Sequence, residues 1–179
     1  MEILIQSVST LAAIIALLLI WVQLKYQNKQ MKYQALTQLH QELIGHTIQK
    51  ALRFIFSSEP NDIAHPRSEE DLERIELVLN TYDLIGFRVK QDLLPRDDTL
   101  KTEWMLLLPL GLKLQEFIGC EKVLRGGAPY KAHFEWLVKM AEEFKAKNYP
   151  NCNIRAFGRE FGLSKQDASD QPEQQKHSK

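Results

Sequence analysis

The residues best suited to metal binding are two histidines close to a glutamate, His40, Glu42 and His46. Imidazole and carboxylate groups are common zinc ligands. On a helix, six residues correspond to a rotation of about 240°, so the two histidines point to different faces. The HExxH spacing that places both on one face is absent. We therefore interpret them as solvent-facing histidines and predict no metal site.

Cys120 and His133 are the residues that could supply a nucleophile and its base. They are 13 residues apart, so the fold would have to bring them within hydrogen-bond reach. No third group that would orient the histidine is evident. Cys152 has no CxxC or Cys/His partner, which argues against a disulfide framework or a zinc site. Free thiols fit a reducing cytoplasm, and we predict a free, non-catalytic thiol near a helix end at Cys120.

Two further patterns resemble binding sites without completing one. Gly126 and Gly127 are not followed by the Lys-Ser/Thr pair of a phosphate-binding loop. An acidic run offers carboxylates but lacks the loop geometry that calcium needs, and it suits a solvated helix face. This run contains Glu69, Glu70, Asp71, Glu73 and Glu76. We therefore predict no catalytic residue, no cofactor and no metal, and expect that the protein is not an enzyme.

Composition argues against a nucleic-acid partner. The 179 residues contain 23 Lys and Arg and 23 Asp and Glu, so no overall field attracts polyanions. This length accommodates one domain of ordinary size plus an appendage.

The N-terminal segment has the pattern of a membrane anchor, assigned to residues 1–24. No charge occurs from Ile3 to Leu24, and the stretch from Leu11 to Val22 is apolar throughout. At about 1.5 Å per residue, this segment spans a hydrocarbon layer of roughly 30 Å. A cleaved signal peptide would have a basic start and a small-residue cleavage site, and neither is present. The pattern predicts a single transmembrane helix and a lipid bilayer as a partner.

The charges that flank this segment predict its orientation. Lys25, Lys29 and Lys32 follow it, whereas Glu2 precedes it. Lys and Arg are concentrated on the cytoplasmic side of membrane helices. We therefore expect a single-pass protein of the cell inner membrane, with the N-terminus outside and the C-terminal domain in the cytoplasm.

A stripe of small and polar residues runs along the anchor at alternating steps of three and four. Such spacing places residues along one side of a helix that can pack against a neighbour, and small residues allow close approach in lipid. One hypothesis is self-association of the span through Gln6, Ser9, Ala13, Ala16 and Gln23. The alternative is that the glutamines mark the membrane boundaries and face water.

The rest of the chain predicts an all-α protein, in which the anchor continues into a long juxtamembrane helix and then a small antiparallel bundle. Apolar residues recur at helical spacing, and no strand pattern persists. We expect an unbroken juxtamembrane helix over residues 25–58, weakened but not ended at Gly45, and a loop that extends to Ser68. A cytoplasmic helical domain is expected over residues 68–163, followed by a disordered polar tail over residues 164–179.

Capping and breaking residues predict the boundaries within the domain. Ser68 suits the start of a second helix that ends near Gly86. Asp97 or Asp98 suits the start of a third helix, which Pro109 is expected to kink or split. Pro129 suits the start of a fourth helix, which ends near residues 148–150. A short turn using Ile154, Phe157 and Phe161 is expected after it.

Four residues are candidates for a surface that binds a protein partner. Asn80 and Asp83 flank the apolar stripe of the second helix, and they can either face a partner or belong to an internal hydrogen-bond network. Tyr130 and Trp136 are aromatic residues of the kind that concentrate in interfaces. Core packing is the alternative interpretation for each of them.

Three segments carry a resemblance to a known family: Trp21 to Leu24, Val78 to Gly86, and Tyr130 to Leu137. In these segments the chain resembles a family of bacterial single-span membrane proteins classed as a domain of unknown function. The resemblance implies an anchored helical domain over most of the chain except the tail, with no catalytic residue to carry over.

These observations together predict a membrane-tethered interaction or scaffold module that binds an unidentified protein or itself. Two alternatives come from other classes of protein. One is a self-assembling sensor-effector whose span forms a pore, and the other is an enzyme that uses Cys120.

Overall fold

A computed structural model describes the backbone of residues 2–152 and the side chains of residues 14–152. Over this range the chain forms a bundle of α-helices without a β-strand, so the all-α class is confirmed. The helices are α1 (Glu2–Ile44), α2 (His46–Ser57), α3 (Pro60–Ala64), α4 (Glu69–Lys90), α5 (Arg96–Leu124) and α6 (Ala132–Asn148). The expected turn after residue 153 and the expected tail lie outside the described residues.

Helix α1 is the longest element, with 43 residues. Its C-terminal part packs on the bundle through the buried Leu39 and Leu43. By contrast, every side chain from Ile14 to Met31 is exposed. In the part of the chain whose side chains are described, no helix is both long enough and apolar enough to cross a membrane.

The expectation of an unbroken juxtamembrane helix is wrong, because α1 ends at Ile44 and α2 begins at His46. Gly45 has φ −53° and ψ 135°, so its backbone leaves the helical region. Glycine is the weakest helix former apart from proline, which makes this position the easiest place to break the helix. The Gln49 side-chain amide donates to the Leu43 carbonyl oxygen at 2.8 Å, which compensates a carbonyl in the last turn of α1.

The segment expected to be a loop before Ser68 contains the short helix α3. Pro60 occupies its first turn, where the missing N–H group has no cost. Ile63 and Ala64 are buried against the bundle. Lys113 on α5 donates from Nζ to the Ser58 carbonyl oxygen at 2.7 Å, which ties this segment to α5.

Helix α4 begins as predicted and ends later than predicted. The Ser68 hydroxyl accepts a hydrogen bond from the Asp71 N–H group at 3.1 Å, so the predicted cap is confirmed. The helix continues past Gly86 to Lys90. Gly86 is required for packing rather than for ending the helix, because a Cβ atom at this position would lie 2.2 Å from the His133 carbonyl oxygen of α6. The glycine therefore marks a close helix crossing.

Helix α5 is continuous through Pro109, so the expected split into two helices is wrong. It begins at Arg96, with Pro95 at the cap position and Asp97 and Asp98 in its first turn. A proline inside a helix costs about 3 kcal/mol. Leucines on both sides of Pro109 are buried, and their packing offsets that cost. They are Leu107, Leu108, Leu110 and Leu114.

Helix α6 begins at Ala132, three residues after the predicted start at Pro129, and ends at Asn148 as predicted. It packs extensively on both α4 and α5, whereas α4 and α5 have few contacts with each other despite their short connection. The antiparallel pair is therefore α5 and α6, in which Lys122 pairs with Glu135 at one end and Trp104 stacks on Tyr149 at the other.

Candidate interaction surface

The N-terminus of α6 is held by a carboxylate from α4. Asp83 Oδ1 accepts hydrogen bonds from the backbone N–H groups of His133 and Phe134, each at 2.9 Å. The residue before the helix, Lys131, has φ 52° and provides no side-chain cap. The first N–H groups of a helix have no partner within the helix. Asp83 supplies that partner from another helix, and its negative charge also suits the positive end of the α6 dipole.

Two further contacts accompany Asp83 on the same side of α4. The Tyr130 hydroxyl donates to Glu76 Oε1 at 3.0 Å, and Lys131 Nζ donates to Asn80 Oδ1. Glu76, Asn80 and Asp83 follow one another at steps of four and three residues, which places them on one face of the helix. We refer to these three residues and the 130–134 segment as the α4–α6 junction.

The pKa of Tyr130 reflects its position in the junction. Burial raises this pKa well above its ordinary value, and the hydrogen bond to the Glu76 carboxylate raises it further. The Arg125 guanidinium lies over the Tyr130 ring at 4.5 Å from the centroid. The hydroxyl therefore remains a hydrogen-bond donor throughout the physiological pH range.

The structure thus brings together three of the four residues proposed for a partner surface. Asn80 and Asp83 on α4, and Tyr130 just before α6, each make hydrogen bonds across the junction. This arrangement is the internal hydrogen-bond network that the sequence offered as one of two alternatives. Trp136 lies outside these hydrogen bonds, half-buried against the core. Among the stripe residues of the anchor, Ala16 and Gln23 are exposed, whereas Gln6, Ser9 and Ala13 lie outside the described side chains.

An exposed apolar surface borders the junction. Leu84 is 45 % exposed and Phe87 is 39 % exposed. The Phe87 ring contacts the His133 ring edge-on, with 5.4 Å between centroids. We call Asn80, Leu84, Phe87 and His133 the α4 patch. Exposed large apolar side chains rimmed by polar groups are typical of protein-binding surfaces.

A second polar cluster, which sequence analysis missed, involves Glu103 on α5 and Tyr82 on α4. Glu103 on α5 is only 8 % exposed, and burial raises the pKa of its carboxyl group, with the charge of His40 opposing that increase. The Tyr82 hydroxyl is fully buried and has no hydrogen-bond partner among the described residues. Burial and the Glu103 charge raise the pKa of Tyr82. The sequence signal for this cluster is a glutamate that lies three or four residues from leucines on the apolar face of α5.

A groove of about 1090 Å³ lies between α5 and the segment that connects α3 to α4. Its apolar lining includes Ala64, Pro66, Leu72 and Leu112. Cys120 also lines this groove, while His133 belongs to the α4–α6 junction. The two residues therefore have separate surroundings.

The remaining chemical candidates have structural explanations. Arg74 pairs with Glu70 and with Asp71 in the acidic run. Gly126 and Gly127 have φ +66° and +82°, and their N–H groups donate to the Val123 and Lys122 carbonyl oxygens, which closes the end of α5. Within the described residues, no group of three or more His, Cys, Asp or Glu side chains could hold a metal ion.

Comparison with family models, with curated proteins and with solved structures finds no match for this chain. The resemblance to a single-span membrane family therefore stays a prediction.

Proposed function

We propose that this chain is a single-pass, membrane-anchored interaction module. Residues 3–24 span the inner membrane, the N-terminus lies outside, and the helical bundle binds a protein partner on the cytoplasmic side. The observation that carries the proposal is the exposed apolar stretch of α1 from Ile14 to Val22. Its side chains from Ile14 to Val22 are all apolar, and each is exposed. Exposed apolar surface of this extent is typical of membrane or protein contact.

The residues at the end of the proposed span suit a membrane boundary at this position. Trp21 and Tyr26 suit the headgroup region, and Lys25 Nζ lies 5.4 Å from the centre of the Trp21 ring. Farther along α1, Lys32 pairs with Asp92 in the connection between α4 and α5 at 2.5 Å. In the proposed arrangement, the α4–α5 connection lies on the membrane side of the bundle.

Anchorage is tested with the full-length protein by alkaline carbonate washing of membranes. We expect the wild-type chain to remain in the pellet. A variant with Leu17→Arg and Leu18→Arg is expected to appear in the supernatant, because each arginine costs about 3 kcal/mol at the centre of a span. Leu93→Arg changes an exposed leucine outside the span and is expected to remain in the pellet. Extraction of the wild-type chain by carbonate would contradict the proposal.

Orientation is tested separately with a tag at the C-terminus. Protease is expected to remove the tag in inverted inner-membrane vesicles and to leave it intact in spheroplasts. The reverse pattern would place the bundle outside.

Partner binding is tested by brief crosslinking and purification of the tagged protein in mild detergent. We propose the α4 patch as the contact surface, so Leu84→Asp is expected to abolish recovery of a stoichiometric partner. Leu93→Asp introduces the same charge at another exposed leucine and is expected to retain the partner. Equal recovery with both variants would exclude the α4 patch as the binding surface.

The second candidate function is self-assembly of the span into a pore. It is favoured by the exposed stripe residues Ala16 and Gln23 and by the exposed Gln27, Gln30 and Gln34 that follow them. Ion leakage on overexpression, reduced by Ala13→Leu with Ala16→Leu, would support it. Recovery of only self-crosslinked chains in the purification would also favour this alternative.

A further inference from the structure

The α4 patch has a lysine at each of its two ends. Lys131, just before α6, donates from Nζ to Asn80 Oδ1, which places its charge at one end of the patch. Lys90 is exposed in the last turn of α4 and follows Phe87 by three residues, so it lies on the same side of the helix. Asn80 and Lys90 are about 15 Å apart along the helix axis. Two positive charges therefore enclose the exposed side chains of Leu84 and Phe87.

The carboxylates on this face of α4 are already engaged. Asp83 accepts backbone N–H groups at the start of α6, where the helix dipole is positive, and Glu76 accepts from the Tyr130 hydroxyl. Among the described residues, neither lysine has a carboxylate partner, and Lys131 contacts the neutral Asn80 amide and the Tyr130 ring. The charge that the patch presents to a partner is therefore positive, and an acidic partner complements it.

The shape of the patch favours a helix as the bound element. The part of the chain that the structure describes contains no β-strand, so a peptide has no sheet edge to extend there. Leu84 and Phe87 lie one turn apart, and the His133 ring packs edge-on against Phe87. An amphipathic helix presents apolar residues at the same spacing. Carboxylates about ten residues apart on such a helix would lie near the two lysines.

Two ion pairs argue against a lipid surface as the occupant. Lys32 pairs with Asp92 at 2.5 Å, and Glu42 pairs with Arg88 at 3.9 Å, so α1 and α4 run in opposite directions where they meet. In the proposed arrangement α1 extends away from the membrane, and the patch on α4 extends in the same direction. A flat bilayer surface would then contact one of the two lysines at most.

We propose that the α4 patch binds an acidic amphipathic helix of a protein partner. Apolar residues of that helix cover Leu84 and Phe87, and its carboxylates pair with Lys90 and Lys131. The inference rests on the α4 patch being the contact surface proposed above, and it adds the chemistry of the partner. Exposed charge pairs contribute more to partner selection than to affinity, so discrimination between acidic and basic helices is the expected signature.

The test uses synthetic fluorescent peptides and the full-length protein in nanodiscs of zwitterionic lipid, with binding measured by fluorescence anisotropy. The acidic peptide is an alanine-based helix of about four turns, with leucines on one face and a glutamate at each end of that face. The basic peptide has lysine in place of both glutamates. We expect the acidic peptide to bind at least about tenfold more tightly than the basic one. Added salt is expected to reduce this preference, because the two lysines are near the surface.

Variants of the protein test which lysine takes part. Lys90→Glu is expected to weaken binding of the acidic peptide about fivefold, and one of the two peptides with lysine at a single end is expected to restore it. Lys147→Glu is the matched control, because it reverses an exposed lysine in the last turn of α6, away from the patch. It is expected to bind the acidic peptide as the wild type does. Leu84→Asp is expected to abolish binding of every peptide.

Four outcomes would overturn the proposal. Equal binding of the acidic and basic peptides would refute the acidic chemistry, while the purification with Leu84→Asp tests the contact surface independently. Undiminished binding of an acidic peptide with a central proline, which breaks a helix, would indicate an extended ligand. Displacement of the peptide by vesicles containing phosphatidylserine, but not by phosphatidylcholine vesicles, would identify an anionic lipid surface as the occupant. The fourth outcome is that no peptide binds while thermal unfolding of the protein remains cooperative.

Discussion

The side chains of Tyr82 and Tyr130 are both buried in the core, but their hydroxyl groups have opposite surroundings. Tyr130 donates to Glu76 within the α4–α6 junction. The Tyr82 ring contacts Phe134 of the same junction, but its hydroxyl has no hydrogen-bond partner among the described residues. Two nearby carboxyl groups differ in the same way. Asp83 accepts two backbone hydrogen bonds, whereas Glu103, near Tyr82, is buried and has a raised pKa.

The contrast shows two ways in which the bundle orients its helices. At the junction, α6 presents backbone N–H groups that require acceptors, so the acceptor on α4 determines where α6 begins. Around Tyr82, α4 packs on the core through buried apolar side chains such as Val78, Leu79 and Ile85. Apolar contact is not directional. We therefore expect substitutions of the junction's hydrogen-bonding groups to cost more than substitutions of the polar atoms of Tyr82 and Glu103.

The largest effect is expected for Gly86→Ala. The added methyl group would lie 2.2 Å from the His133 carbonyl oxygen, and a backbone atom cannot move aside as a flexible side chain can. Helix α6 would have to shift away from α4, which disrupts the hydrogen bonds of Asp83 as well. We expect a loss of about 3 kcal/mol of unfolding free energy, at the upper end of typical overpacking costs.

Gly119→Ala is the matched control for Gly86→Ala. It is the same substitution inside a helix, but the new methyl group meets nothing within 4 Å. Because alanine has a higher helix propensity than glycine, we expect the unfolding free energy of this variant to rise by up to about 1 kcal/mol. Both are measured by denaturant unfolding of the solubilised full-length protein, followed by circular dichroism. Equal effects of the two substitutions would exclude a special role for the crossing at Gly86.

Asp83→Ala is expected to have the next largest effect. It leaves two N–H groups at the start of α6 without their acceptor, and loss of a helix cap costs about 1–2 kcal/mol. Asp83→Asn retains an acceptor oxygen and is expected to cost less than half as much. Amide hydrogen exchange at His133 and Phe134 provides a local measurement, since both amides are predicted to exchange faster in Asp83→Ala. Unchanged exchange at these amides would contradict the capping role.

The sequence predicted the helical class and the elements with strong local signals. Ser68 is followed three residues later by an acidic residue at the start of a helix, and the structure has the same cap. The end of α6 near Asn148 was likewise marked by its own neighbours in the chain. Signals of this kind act over one turn of helix, so they can be read without knowledge of the fold.

The errors occurred where tertiary contacts outweigh local preference. The sequence predicts a helix end near Gly86, but α4 continues past it. The low helix propensity of glycine is outweighed there, because the missing side chain allows the close approach of α6. Pro109 was expected to interrupt α5, but buried leucines on both sides of it keep the helix continuous. Asn80 and Asp83 were identified as notable polar residues. Their partners are 50 residues or more away, and no local pattern connects them.

A smaller and pH-dependent effect is expected for Glu103→Gln. Because burial raises the pKa of Glu103, the folded chain binds this proton more tightly than the unfolded chain does. The resulting stability is present below the ordinary carboxyl pKa and is lost as the pH rises through the raised pKa. Glutamine has no such titration, so the variant is expected to gain stability relative to wild type as the pH rises from acid to neutral.

Unfolding midpoints of both proteins between acid and neutral pH measure this difference. The charge of His40 partly offsets the burial of Glu103, so His40→Ala is expected to enlarge the pH dependence of the wild-type glutamate. If the unfolding midpoints of wild type and Glu103→Gln change with pH in parallel, the buried carboxyl group does not contribute to the pH dependence of stability.

The smallest effect is expected for Tyr82→Phe, which completes the comparison of the two tyrosines. Removing an unpaired buried hydroxyl relieves its desolvation cost while leaving the ring contact with Phe134 in place. We expect unfolding free energy to remain unchanged or to rise by less than about 1 kcal/mol. Tyr130→Phe removes the bond to the Glu76 carboxylate and is expected to cost about 1–2 kcal/mol. A loss in Tyr82→Phe as large as that in Tyr130→Phe would mean that the surroundings of the Tyr82 hydroxyl also depend on a directional contact.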